Sequence, residues 1–220
     1  MKILQYDTQK YNFAELVGAL YKRPLSELDN DEEKTNLWLG TDTHTEFHRV
    51  FYDRIDAQAG WPEFVDVYKE FLRGIIHPLF VDDILIYQKY PNIRFSRPSA
   101  KAVYKWHCDG DKDHHHPVGE INIYLPLTDS YDTNTIWIES LPGLGDFAPV
   151  NLRYGEVLVA YLNQCRHGNQ INETGKTRVS FDFRVVPSFA HDDANAVTTF
   201  TTKQSFTVGS YYDKMERDGY

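Results

Sequence analysis

Apolar residues recur every three or four positions along the first part of the chain and every second position along most of the rest. Phe13, Leu16, Val17 and Leu20 form a stripe that predicts a helix over residues 12–22. Arg23-Pro24 closes it, because the residue before a proline is pushed out of the helical region. Phe47, Val50, Phe51 and Ile55 predict a second helix over residues 46–58. Phe64, Val67, Tyr68, Phe71, Leu72 and Ile75 predict a third, opened by Pro62 and stopped by Pro78. Proline suits a first turn because the amide it lacks would have no partner there. The charged stretch 29–34 reads as a solvated loop or a helix start.

From residue 84 the period changes to two. Strands are predicted over residues 84–88, 102–107, 120–127, 135–138, 157–162 and 178–186, with Tyr90-Pro91-Asn92 as a turn. Two further strands are predicted within residues 198–212, covering an edge. Many short strands separated by Gly and Pro imply a sandwich or barrel rather than a parallel sheet. The expected fold is mainly β with N-terminal helices packed outside a jelly roll. No repeat or linker divides the chain, so one domain is expected over residues 1–220. Residues 1–82 would be mostly helical support, and residues 83–220 the β core with C-terminal strands.

Composition narrows the function. A hydrophobic fraction of 41% with 15% aromatics is globular, and 220 residues bury a full core without disulfides. A net charge of -9 argues against nucleic acid as a partner, since phosphate binding needs a basic face. The two cysteines, Cys108 and Cys165, form no CxxC pair, which suggests a reducing, cytoplasmic setting. The opening residues lack the apolar core of a signal peptide, and no apolar run reaches membrane-span length. A soluble protein with a small-molecule substrate and no membrane partner is expected. The residues leave the oligomeric state open, a homodimer among the states allowed.

The candidate chemistry lies between Trp106-His107-Cys108-Asp109 and His167. Alternation in a strand aims His107 and Asp109 to one side and Cys108 to the other, and Gly110 lets the chain turn. With His167 after another strand, two imidazoles and one carboxylate make the ligand set that holds a non-haem Fe(II) on one face and leaves positions open for substrate and O2. His191-Asp192-Asp193 and His44-Thr45-Glu46 carry similar spacings but lack a strand setting. His114-His115-His116 reads as a loop at the pocket rim, since consecutive residues rarely aim three imidazoles at one ion.

On the predicted strand 178–186, Arg178, Ser180, Asp182 and Arg184 alternate with Val179, Phe181 and Phe183. Arg178 can meet a carboxylate with two parallel N–H bonds and Ser180 can add a third, which suits 2-oxoglutarate. Arg184 is the second choice for that carboxylate, with pairing to Asp182 as its other role. Asn122 and Tyr124, polar positions between Ile121, Ile123 and Leu125, are expected to face the same cavity and donate to 2-oxoglutarate. Tyr104 and Glu139 are weaker candidates.

The stretches Trp106-His107-Cys108-Asp109, Gly119-Glu120-Ile121-Asn122, Asn134-Thr135-Ile136-Trp137-Ile138-Glu139-Ser140, Tyr154-Gly155-Glu156-Val157-Leu158 and His167-Gly168-Asn169 resemble the streptomycin-biosynthesis-type oxygenases. So does Thr174-Gly175-Lys176-Thr177-Arg178-Val179-Ser180-Phe181-Asp182-Phe183-Arg184. These are relatives of the phytanoyl-CoA dioxygenases that also occur in sporadic carbohydrate gene clusters. The resemblance covers residues 87–186 and implies a double-stranded β-helix, cupin-like, with His107, Asp109 and His167 on iron and Arg178 on 2-oxoglutarate. A carboxylate at position 109 fills the place that halogenating relatives leave for chloride. Hydroxylation, desaturation or oxidative ring closure is therefore expected. The resemblance suggests an amino sugar, aminocyclitol or nucleotide-linked sugar as substrate, with Asp111 and Asp113 placed to attract an amine. A free amino acid is an alternative. A cupin-type isomerase or a dioxygenase needing no co-substrate is another, as is a non-catalytic metal- or sugar-binding protein of this fold.

Overall fold

The computed structural model describes residues 1–30, 45–58, 60–99, 106–194, 197–199 and 203–217, the side chains of 29 and 30 excepted. Among these, the strands in chain order are β1 Lys2–Gln5, β2 Ile84–Gln88, β3 Asn92–Ser96, β4 Ile121–Pro126 and β5 Ile136–Ile138. Then follow β6 Ala148–Pro149, β7 Glu156–Ala160, β8 His167–Asn169, β9 Arg178–Pro187 and β10 Tyr212–Glu216. The helices are α1 Phe13–Tyr21, α2 Glu46–Asp56 and α3 Pro62–Phe71.

The larger sheet runs β1-β7-β4-β9-β2-β10, and the smaller runs β6-β5-β8. Every named pair is antiparallel. The long strand β9 pairs along its first half with β3 and near its end with β2. Tyr124, Leu158 and Ala160 of the larger sheet pack with Ile138 of the smaller one, so the two sheets face each other. This is a double-stranded β-helix, or jelly roll.

The alternation along β9 explains how the helices attach. Val179, Phe181, Phe183 and Val185 belong to the main core with Phe13 of α1, Phe51 of α2 and Phe64 of α3. The Phe181 ring centroid lies 5.9 Å from Phe13 and 5.6 Å from both Phe51 and Phe64. Each such burial contributes roughly 1.5–3 kcal/mol, an upper estimate. The helices thus cover one face of the larger sheet, and the polar residues of β9 turn inward.

Several elements differ from the sequence expectation. Residues 2–5 form β1, so the N-terminal segment supplies a strand as well as helices. Residues after the Pro91 turn form β3, where Ile93 and Phe95 are buried in the core and alternate with Asn92, Arg94 and Ser96. Five residues beside a turn signal give too short a period to read alone. The described tail contributes one strand, β10, which starts at the last residue of the predicted range, and within that range Thr198–Ser205 and Val208–Tyr212 are isolated bridges. The predicted strand 102–107 lies outside the described residues through position 105. The third helix widens into i→i+5 hydrogen bonding over Leu72–Ile76 before Pro78. No helix among the described residues is long and apolar enough to cross a membrane.

Candidate metal centre and co-substrate cavity

His167 opens β8, and His107 bridges to it antiparallel outside any longer strand. The two residues exchange both backbone hydrogen bonds, His107 N–H to His167 O at 3.1 Å and His167 N–H to His107 O at 2.9 Å. Directly opposed residues share a face, so their rings lie together with centroids 4.4 Å apart. Asp109 is steered to the same point because its N–H donates to Leu162 O at 3.1 Å and Gly110 N–H donates to Asn163 O at 2.9 Å. Its Oδ1 lies 3.6 Å from His107 Nε2 and 3.5 Å from His167 Nε2. Ligand atoms of the three residues all fall within 4.8 Å of one another.

Burial pushes the Asp109 carboxyl up, but the Arg184 guanidinium and the two imidazoles outweigh it and hold the group well below the usual carboxylate range. The carboxylate is therefore ionised and its Oδ1 is presented beside two imidazole nitrogens. This donor set fits a divalent transition metal with open positions. Asn122 Nδ2 donates to Asp109 Oδ2 at 2.6 Å, while its Oδ1 accepts from Leu162 N–H at 3.1 Å. His167 Nδ1 lies 3.1 Å from Cys165 O, a contact that would fix the ring with Nε2 outward.

These residues open on a cavity of about 1240 Å³ between the sheets. Arg178, Asp182, Arg184, Asn122 and Tyr124 all line it. Arg178 is 4% exposed; its Nε donates to Asn134 O at 2.9 Å and its Nη1 to Ser180 Oγ at 2.8 Å. Ser180 is fully buried and meets Arg178 in this way.

Three expected co-substrate donors are committed elsewhere. Arg184 donates to Asp109 from Nε and Nη2 and to Asp182 from Nη1, so both its edges are occupied. It braces the Asp109 carboxylate and leaves no free fork for a second one. The Asn122 amide likewise serves Asp109 and Leu162. Tyr124 faces Ser130 at 2.7 Å, Ser130 donates to Thr135, and Thr135 donates to Val150 O. Each hydroxyl has one proton, so the chain directs the Tyr124 proton to Ser130 and leaves its oxygen only as an acceptor.

Glu139 accepts from Arg166 N–H at 2.6 Å and Gly145 N–H at 3.0 Å, bracing the approach to His167 rather than the cavity. Tyr104 lies outside the described residues. Of the histidine run, His114 stacks on His107 with centroids 4.3 Å apart, and His116 bonds buried Glu120 at 2.7 Å. His115 is exposed. Asp111 Oδ1 is taken by Asp113 N–H, His114 N–H and His114 Nδ1, and Asp113 is exposed. His191 pairs with exposed Asp193 and has no third ligand among the described residues, Thr45 caps α2, and His44 lies outside the described residues. Sequence reasoning missed Arg94 of β3 and Tyr52 of α2, both of which line the cavity. The alternation Asn92-Ile93-Arg94-Phe95-Ser96 was the available signal for Arg94.

Fold and donor set together define a jelly-roll protein with a candidate two-histidine, one-carboxylate centre. Over 177 residues the chain is 34% identical to the streptomycin biosynthesis protein StrG of Streptomyces griseus, covering 80% of this chain and 79% of that protein. The chain belongs to the StrG family. No family model matches it. Among solved structures, a nickel complex of the non-heme monooxygenase ThoJ is 13% identical at a TM-score of 0.47, over 99% of this chain and 86% of that one. Iron-bound EctD from S. alaskensis is 16% identical at a TM-score of 0.48, over 86% and 73%.

Proposed function

We propose that the protein is an Fe(II)- and 2-oxoglutarate-dependent oxygenase acting on a small polar metabolite. The observation that carries the reading is the convergence of His107, Asp109 and His167 on one point of a cavity whose wall also presents Arg178. His107 and His167 would hold the metal through Nε2 and Asp109 through Oδ1. When bound, Fe(II) would activate O2, which is the oxidant, with 2-oxoglutarate supplying two of the four electrons and the substrate the other two. Arg178, anchored by Asn134 and Ser180, keeps its Nη2 side for the distal carboxylate of 2-oxoglutarate. Asn122 and Arg184 hold Asp109 ionised and oriented, and the apolar contacts between the sheets limit water in the cavity floor.

The name of the relative places that protein in streptomycin biosynthesis. Together with the polar lining of the cavity, this favours an amino sugar, aminocyclitol or nucleotide-linked sugar as substrate, oxidised by hydroxylation or oxidative cyclisation. Addition of 2-oxoglutarate to the anaerobic Fe(II) protein is expected to produce a visible charge-transfer band, and substrate turnover is expected to release succinate. A cupin-type isomerase or a sugar-binding protein of this fold would give neither.

A further inference from the structure

Arg94 stands on the cavity side of β3, directly opposite Ser180 and between the buried residues Ile93 and Phe95. Its Nε donates to Asp182 Oδ1 at 2.6 Å, which draws the guanidinium along the sheet toward Asp182 and away from Arg178. Its two Nη nitrogens have no hydrogen-bond partner among the described residues and are not sealed from the cavity. The hydroxyl of Tyr52, on the helix side of the same space, accepts from Ile93 N–H.

The buried carboxylates described around this wall are already engaged. Asp182 is already bonded by Arg94, Arg184 and Asn92, and the Oδ2 of Asp109 by Arg184 and Asn122. Buried Glu120, bonded by His116 and Tyr212, likewise has both oxygens engaged. Asp53, Asp56, Arg49 and Lys89 also border the cavity, but all four are exposed and therefore screened. Among the described residues, no buried carboxylate of the wall is left to receive an ammonium group, whereas the Nη edge of Arg94 is left to receive an oxyanion.

We propose that Arg94 is a specificity-determining residue that takes a carboxylate or phosphate group of the substrate on its two Nη nitrogens. The proposal rests on the oxygenase reading and deepens it. Within the expected substrates, it selects the nucleotide-linked sugar, or another sugar that carries an oxyanion, over an amino sugar or aminocyclitol without one. Paired N–H donors suit either oxyanion.

The test uses the protein loaded with Fe(II) and 2-oxoglutarate under argon, titrated by calorimetry with glucose, glucuronate and glucose 6-phosphate. Wild type is expected to bind at least one anionic probe tenfold or more tightly than glucose, and the better of the two identifies the oxyanion. Arg94→Gln is expected to lose that preference and Arg94→Lys to keep part of it, with 2-oxoglutarate affinity unchanged in both. The wild-type comparison stands even if Arg94→Gln does not fold. Equal binding of glucose and both anions by wild type would overturn the proposal, as would an undiminished anion preference in Arg94→Gln. So would loss of 2-oxoglutarate affinity in its place, which would put Arg94 on the co-substrate. Failure of the oxygenase reading is a separate result, the absence of the charge-transfer band before any probe is added.

Discussion

Arg184 donates to Oδ2 of Asp109 from two nitrogens, at 2.9 and 3.3 Å, and so leaves Oδ1 of the same carboxylate turned to both imidazoles. The guanidinium sets which oxygen is offered to an ion. Replacing a group that orients a metal ligand typically costs about 10–100-fold in metal affinity. Arg184→Met is expected to show a loss of that size in Fe(II) titrations, with 2-oxoglutarate saturation unchanged once Fe(II) is saturating. The opposite pattern would return the co-substrate role to Arg184.

Arg178→Ala removes the candidate partner of a buried carboxylate, a loss of roughly 2–5 kcal/mol. The 2-oxoglutarate concentration needed for half-saturation should rise at least tenfold while Fe(II) affinity stays near wild type. Calorimetry with each ligand in turn separates the two.

Gly110 follows Asp109 where the chain passes Asn163. A Cβ at position 110 would meet Asn163 Oδ1 at 2.5 Å and its backbone oxygen at 2.9 Å. Asn163 cannot easily yield, because its Nδ2 donates to His116 O and Pro117 O. Gly110→Ala should therefore destabilise by about 1–3 kcal/mol and weaken Fe(II) binding by displacing Asp109. Unchanged Fe(II) affinity in a folded variant would separate this turn from the metal centre.

Phe181 joins all three helices to the sheet. Phe181→Ala should cost about 3–5 kcal/mol and lower the urea midpoint without changing the slope of the transition. A changed slope would show that the helices no longer unfold together with the sheet.

Asp182 is one of the carboxylates, with Asp109, through which acid is expected to lower stability. Burial raises its pKa, but Arg94 and Arg184 outweigh that and hold the carboxyl below its ordinary range. The unfolded chain then binds this proton more readily than the folded one. The contribution is complete above the unfolded carboxylate pKa of about 3.9 and is lost as pH falls toward the folded value. The urea midpoint should decline below about pH 4, and Asp182→Asn should make that decline shallower. An equally steep decline in the variant would assign the acid sensitivity to other groups.

Periodicity alone located the three helices and the strands β2, β4 and β9, because each carries enough apolar repeats to cover one face of a packed element. His107, Asp109 and His167 were readable as candidate ligands from their residue types and spacing, whereas the turn that carries Asp109 to the paired imidazoles was not. The roles of Arg184, Asn122 and Tyr124 were not readable. A polar residue facing a cavity can bond its neighbours or a ligand, and only the positions of Asp109 and Ser130 decide between them. Arg94 lay hidden because β3 is short and follows a proline turn. The sequence by itself determined which residues are polar on an inward face; the tertiary structure decided which of those polar groups were already spent on one another, because hydrogen-bond partners distant in the chain become neighbours only when the sheets close.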